Sequence, residues 1–396
     1  VRITSIRTKV YEWTGETVSS DMKLSTNPMD VFEEFGSTHK NTLKSFVFHS
    51  WLVVELETDT GIVGIGNAAL SPFVCQAIID RHLRDALIGQ DARDIERLWQ
   101  LMYRKTIAFG RKGAALGAIS AIDIALWDAL GKHYGEPVWR LLGGPTGARI
   151  PVYASKLYNQ PKDSLIAEAQ SYVDAGYKAV KMRLGYGPKD GAAGILKNIE
   201  AVQTVREVIG EGVDLMCEVY MGWTLNYTKQ MLPRLAPYNL RWLEEPVIAD
   251  DIESYAELNA LGHVPIAGGE HEHTLAGFRT LCQTRAVDYL QFDTNRVGGI
   301  TQAKKIATLA EAFGIEFVPH AGQMHNYHVV MSSYAAPMAE YFPQHPVEVG
   351  NELFWYIFDG EPVAENGFLT LPDTPGLGLT LSERYLDDFK IHRTGG

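Results

Sequence analysis

A regular spacing of carboxylates constrains this chain more than any other feature. Glu218 in DLMCEVY, Glu244 in LRWLEEP and Glu270 in VPIAGGE follow one another at intervals of 26 residues, each at the end of a short apolar run. Other runs carry charge in the same place: Lys181 and Arg183 in YKAVKMR, Asp293 in VDYLQFD, His320 in IEFVPH and Glu340 in PMAEYF. The interval leaves room for one strand, one helix and two loops. An uninterrupted apolar strand has no polar face to offer water, so such strands belong to a parallel sheet covered by helices. Repeated this often, the unit closes into a barrel, and charged groups at the strand ends converge on one pocket.

One barrel uses roughly 250 residues. The chain has 396, of which 46% are hydrophobic, so a second domain is expected. A net charge of −12 without a dense Lys/Arg cluster argues against nucleic acid or an anionic membrane as partner. An anionic substrate would therefore need a local positive site. Cys75, Cys217 and Cys282 are too few and too scattered for a disulfide framework, which fits a reducing compartment, the cytoplasm. No apolar run reaches the roughly 18 residues of a membrane span. The start, VRITSIRTKVYEW, reads as an alternating strand rather than a signal peptide.

Two further strands are expected in SFVFHSWLVVELETDTGIVGIGNA, joined across Asp59-Thr60-Gly61. Between these and the first strand, Gly15 to Lys44 is polar and long, the pattern of a functional lid. Residues 72–134 carry apolar positions at helical spacing and complete an α+β unit. From Pro151 the rhythm changes to strand and helix in alternation, and past Glu340 it fades into a Pro- and Gly-containing tail.

Three carboxylates at neighbouring strand ends suit a hard divalent cation that takes oxygen ligands, Mg2+ before Zn2+. His271 and His273 flank Glu272 without forming HExxH, and on a strand they would face away from Glu270. Asp293 and His320 end successive strands, where the carboxylate would orient the imidazole and strengthen it as a base. His325 and His328 follow in the same loop, as substrate contacts or as plain polar loop residues. Lys181 and Arg183 share a strand face, and their cations suit a substrate carboxylate, with Lys181 as a base only if its pKa is lowered.

These residues resemble the enolase superfamily, mandelate racemase group. Ala118 to Lys132 with Pro137 and Leu141-Leu142-Gly143 matches its first signature. The KxR pair, Glu244-Glu245-Pro246, Gly269-Glu270-His271, Asp293 with Gly298-Gly299-Ile300-Thr301, and Pro319-His320 match its active-site strands in order. Gly187 to Gly194, Ala236 to Glu245, and Gly269-Glu270-His271 with Thr274 and Phe278 to Leu281 resemble the acid-sugar dehydratases, rhamnonate dehydratases in particular. The resemblance implies an α/β fold, a (β/α)7β TIM-like barrel (residues 141–369) with an N-terminal α+β capping domain (1–140) to which a tail (370–396) returns. It also implies Mg2+ on Glu218, Glu244 and Glu270, a dyad of Asp293 and His320, and Glu340 hydrogen-bonded to an ene-diolate. Lys181 is expected to take part in catalysis, and Arg183, His39, Tyr220, His325 and His328 to contact a small sugar-acid substrate in a homo-oligomer. The implied reaction is dehydration to a 2-keto-3-deoxy acid. Racemisation or cycloisomerisation is the alternative within the family, and a noncatalytic sugar-acid binding protein is the alternative outside it. Two residues depart from the pattern: Glu218 stands where Asp is usual, and Arg183 stands where racemases carry a second Lys base.

Overall fold

The computed structural model describes residues 1–18, 24–32 and 49–394. Strands β1 (Ile3–Trp13), β2 (Ser50–Thr58) and β3 (Val63–Ala68) form an antiparallel sheet. Against it pack α1 (Pro72–Ile78), α2 (Ile95–Thr106) and α3 (Ala114–Tyr134). Helix α3 is long and apolar enough to cross a membrane, yet most of it is buried inside the protein as the central helix of this domain. The strand and helix touch closely, since a Cβ on Gly66 would lie 1.9 Å from the Ala121 carbonyl oxygen. Only glycine fits there.

Eight parallel strands follow, in chain order: β4 (Ile150–Ser155), β5 (Ala179–Arg183), β6 (Asp214–Glu218), β7 (Leu240–Glu244), β8 (Ile266–Gly268), β9 (Tyr289–Leu290), β10 (Glu316–Phe317) and β11 (Ala339–Tyr341). The helices between them are α4 (Lys162–Asp174), α5 (Gly191–Ile209), α6 (Leu225–Leu235), α7 (Ile252–Ala260), α8 (Thr274–Gln283), α9 (Gly299–Phe313) and α10 (Met324–Met331). Seven connections between eight strands make a (β/α)7β barrel. Its closure shows in one interior layer, where Tyr153, Ala179, Met216, Trp242, Ala267, Tyr289, Val318 and Met338 come from successive strands and pack together. Large side chains such as Tyr153, Met216 and Trp242 share that ring with Ala179 and Ala267, so the interior is filled rather than hollow. Fully burying one such aliphatic or aromatic side chain contributes about 1.5–3 kcal/mol.

The strand register sets the site. Arg183 lies opposite Glu218, and Glu218 opposite Glu244, so three charged strand ends stand at one level. A final strand, β12 (Phe389–Thr394), leaves the barrel and pairs antiparallel with β1, Thr394 opposite Thr8.

Candidate active site

Glu218 and Glu244 close β6 and β7, and Glu270 follows β8 by two residues; carboxylate oxygens of the three lie within 4.8 Å of one another. All three side chains are buried. Burying three carboxylates at this separation is costly unless cations stand among them. Lys181 supplies one: its Nζ lies 2.6 Å from Glu244 Oε1, 2.9 Å from Glu340 Oε1 and 3.5 Å from Glu218 Oε2. Burial alone would lower the pKa of this ammonium, but Glu218, Glu244 and Glu340 together hold it well above the ordinary lysine value. Among these acids Lys181 is held charged, as a clamp or an acid.

Glu244 has both oxygens engaged, Oε1 by Lys181 and Oε2 by Trp242 Nε1 at 2.9 Å and Gln291 Nε2 at 2.7 Å. Burial raises its carboxyl to about 7, against the pull of Lys181. Glu218 Oε2 and Glu270 Oε2, by contrast, are buried oxygens without a hydrogen bond. Buried anionic oxygens that have ion-pair contacts to Arg183, Lys181 and His320 but no hydrogen bond are what an oxygen-coordinated divalent cation satisfies, so the donor set fits Mg2+. Glu218, Glu244 and Glu270 would hold it.

On the opposite side, His320 Nδ1 lies 2.8 Å from Asp293 Oδ2, and its Nε2 lies 3.4 Å from Glu270 Oε2. Burial would lower the imidazole pKa; Glu270 and the Asp293 hydrogen bond outweigh it and raise it to about 9. Asp293 is held below the usual carboxylate range: burial opposes this, but Arg296 and His320 prevail. Glu340 Oε2 accepts the Ala321 N–H at 2.8 Å, and Lys181, outweighing burial, brings its carboxyl down to about 2. In this state Glu340 is an acceptor, so the donor role implied by the resemblance requires it to gain a proton.

The remaining expected residues divide. Arg183 is committed to protein groups: Nε is 3.0 Å from Glu218 Oε2, Nη1 donates to the Lys156 carbonyl and Nη2 to Ser155 Oγ. It orients Glu218 rather than presenting an open clamp. Tyr220 follows β6 with φ 41° and packs edge-on against His271, ring centres 5.3 Å apart. His325 is buried beside the site with no hydrogen bond on either ring nitrogen, and burial takes its pKa to about 4. His328 stands elsewhere: its Nδ1 accepts the Trp139 N–H at 3.0 Å and its Nε2 donates to the Leu377 carbonyl at 3.2 Å. Both nitrogens serve the backbone, which makes this a structural histidine and corrects the expected substrate contact. His39 lies outside the described residues, as do residues 19–23 and 33–44 of the expected lid. The described stretch 24–32 is seated on the barrel mouth, where Thr26 N–H donates to the Leu184 carbonyl and the Leu24 carbonyl accepts from Asn159. Gly222 makes room for it, since a Cβ there would lie 2.4 Å from Thr26 Oγ1.

His271 departs from its expected direction. Strand β8 ends at Gly268 and Gly269 takes φ 125°, so strand alternation no longer applies. His271 Nδ1 meets Glu245 Oε2 at 2.7 Å and Nε2 lies 3.6 Å from Glu270 Oε1, on the same side as the carboxylates. Arg296, Gln291 and Trp242 are the residues that the sequence reading missed. Trp242 and Glu244 are two apart on one strand and so share a face, which was a readable signal.

A (β/α)7β barrel that gathers three acids, a lysine and an Asp–His pair at its C-terminal strand ends defines a metal-assisted enzyme that moves a proton next to a carboxylate. Residues 34–143 match the mandelate racemase / muconate lactonizing enzyme N-terminal domain, and residues 164–385 the enolase C-terminal domain-like family. An L-rhamnonate dehydratase of Saccharopolyspora erythraea is 38% identical over 336 residues, 84% of this chain and 83% of that one. Among solved structures, rhamnonate dehydratase from Gibberella zeae complexed with Mg superposes with a TM-score of 0.85 at 30% identity, covering 98% of this chain and 96% of that one. L-Talarate dehydratase from Polaromonas, complexed with Mg and L-glucarate, gives 0.83 at 29% identity, covering 100% and 99%. The chain belongs to the mandelate racemase group of the enolase superfamily.

Proposed function

We propose that this enzyme is a Mg2+-dependent hydro-lyase that dehydrates a sugar acid of the L-rhamnonate type to a 2-keto-3-deoxy acid. The observation that carries the reading is the His320 Nε2 approach to the Glu218–Glu244–Glu270 cluster, 3.4 Å from Glu270, with the Lys181 ammonium seated among carboxylates of the same cluster. The similarity to L-rhamnonate dehydratase over most of the chain supports the substrate class.

Loss of the C2 proton puts a second negative charge on the substrate carboxylate, and a cation held by Glu218, Glu244 and Glu270 would supply the Lewis acid for that charge. His320, neutral and held at Nδ1 by Asp293, takes the proton at Nε2. Lys181 stabilises the ene-diolate as a fixed positive charge. The C3 hydroxyl then needs a proton to leave as water. The imidazolium of His320 holds one, and Lys181 is the second possible donor. A two-base racemisation needs a second neutral base, and the carboxylates around Lys181 work against its supplying one. Three free, buried cysteines accord with the cytoplasmic location we assign.

The test is a panel of sugar acids incubated with enzyme and Mg2+, read for 2-keto-3-deoxy products. Formation of such a product from a 6-deoxy-hexonate is expected. Inversion at C2 without water loss, across the panel, would replace dehydration with racemisation.

A further inference from the structure

Between the metal-ligand carboxylates and the base stands Arg296, to which neither the sequence reading nor the proposed reaction gives a task. Its Nε lies 2.9 Å from Asp293 Oδ2, and its Nη1 lies 3.0 Å from Glu270 Oε1 and 3.4 Å from the Glu270 carbonyl oxygen. Asp293 Oδ2 is also the oxygen that His320 Nδ1 meets. One planar cation thus spans a metal ligand and the acid of the dyad. Guanidinium suits this because its donors project in a fixed fork, whereas an ammonium is a single point charge.

The position of Arg296 is set in two stages. Asp293 caps the helical turn Thr294–Val297, its Oδ1 accepting the Asn295 N–H at 2.8 Å, and residues three apart on such a turn share a face. Beyond the turn, the capping domain takes hold. Trp99 Nε1 donates to the Gly298 carbonyl at 2.7 Å, and Gly298 N–H donates to Ser120 Oγ at 2.9 Å. Asp123 accepts from the Thr301 N–H at 2.9 Å and from its hydroxyl at 2.6 Å. A Cβ on Gly299 would lie 2.3 Å from Asp123 Oδ2, so the two segments meet without spare room. The signature Ala118 to Lys132 and the segment Gly298 to Thr301, far apart in sequence, are two sides of one joint between domains.

We propose that Arg296 is a positioning residue that fixes Glu270 relative to Asp293, and hence the metal relative to the base, and that the joint of Ser120 and Asp123 with Gly298–Thr301 holds it there. Only the kinetic part of the test rests on the proposed dehydration. Arg296→Lys keeps the charge and loses the fork. Thr301→Val weakens the joint by removing the hydroxyl bond to Asp123 and keeps the arginine side chain, and Thr301→Ser restores the hydroxyl. Mn2+ affinity of the substrate-free protein, read by electron paramagnetic resonance, reports on Glu270; kcat and KM with a sugar acid report on the base.

Arg296→Lys is expected to weaken Mn2+ binding by about tenfold or more and to lower kcat by a similar factor, with KM nearly unchanged, as for other groups that orient metal ligands. Thr301→Val is expected to lower kcat at constant KM by less, and Thr301→Ser to recover it. Wild-type Mn2+ affinity and kcat in Arg296→Lys would overturn the assignment. If that variant does not fold, an unchanged kcat in Thr301→Val overturns it and a lowered kcat rescued by Thr301→Ser sustains it. Should the wild type turn over no sugar acid, the reaction is wrong while the Mn2+ measurements still judge Arg296.

Discussion

On the β5–β7 side of the barrel mouth, Lys181, Glu218, Glu244 and Arg183 form a network in which the cations are held charged by the acids around them. On the β8–β10 side, His320 has one nitrogen fixed by Asp293 and the other turned toward Glu270. Both sides are buried and both carry opposite charges in contact. They differ in the kind of group they present to a substrate. The first side presents an ammonium locked among carboxylates and the second an imidazole able to take a proton, so one face of a bound sugar acid meets a clamp and the other meets a base.

The strongest attack on that division is to remove the charge both sides share. Glu244→Gln, or chelation of the wild type, is expected to abolish turnover, with Mg2+ restoring it only in the chelated wild type. Full activity of protein shown by elemental analysis to be metal-free would end the comparison.

Next in size, His320→Asn should lose about two to four orders of magnitude in rate, the range for a positioned acid–base group, while still binding Mn2+. Exchange of the substrate C2 proton in deuterated water separates the sides directly. Wild-type exchange in His320→Asn would make Lys181 the base and reverse the roles drawn here.

The pH dependence sharpens the contrast further. His320 acts in its neutral form, and its pKa is raised to about 9, so activity should climb as pH rises toward that value. A cation on Glu270 cancels part of the charge responsible, which moves the rising limb of the Mg2+ enzyme below about 9. Asp293→Asn removes another part and should shift the limb to lower pH still, with a smaller rate loss than His320→Asn. A limb unmoved by that substitution would show that some other group is titrating.

The smallest effect on catalysis is expected from His328→Ala. It strands the Trp139 N–H and Leu377 carbonyl, costing about 1–3 kcal/mol in a thermal or denaturant melt, with kcat nearly constant. A large fall in kcat without loss of stability would return His328 to the substrate.

The strand-end residues were legible because a βα unit of constant length places every twenty-sixth residue at the same height. Glu218, Glu244 and Glu270 are read from that interval alone, and Asp293 and His320 from the apolar runs before them. What escaped depends on where a strand stops. Gly269 ends the alternation one residue before Glu270, so His271 turns to the carboxylates against expectation. His325 and His328 sit on a helix that begins at Met324, and no periodicity in so short a segment says which ring meets Trp139. Arg296 bridges two acids only because a single helical turn folds it back on Asp293, a fact of tertiary geometry that residue spacing between strands does not encode.

The pairing of β12 with β1 bears on how the chain is made. Thr8 and Thr394 are neighbours in one sheet, so the sheet that holds β1 waits for a strand synthesised after the whole barrel. At about 5–20 residues per second, synthesis takes tens of seconds to reach β12, during which the outer edge of β1 has no partner. An unpaired strand edge invites association with other chains. The barrel therefore matures beside an unfinished neighbour, and β12, made after the barrel, closes that exposed edge.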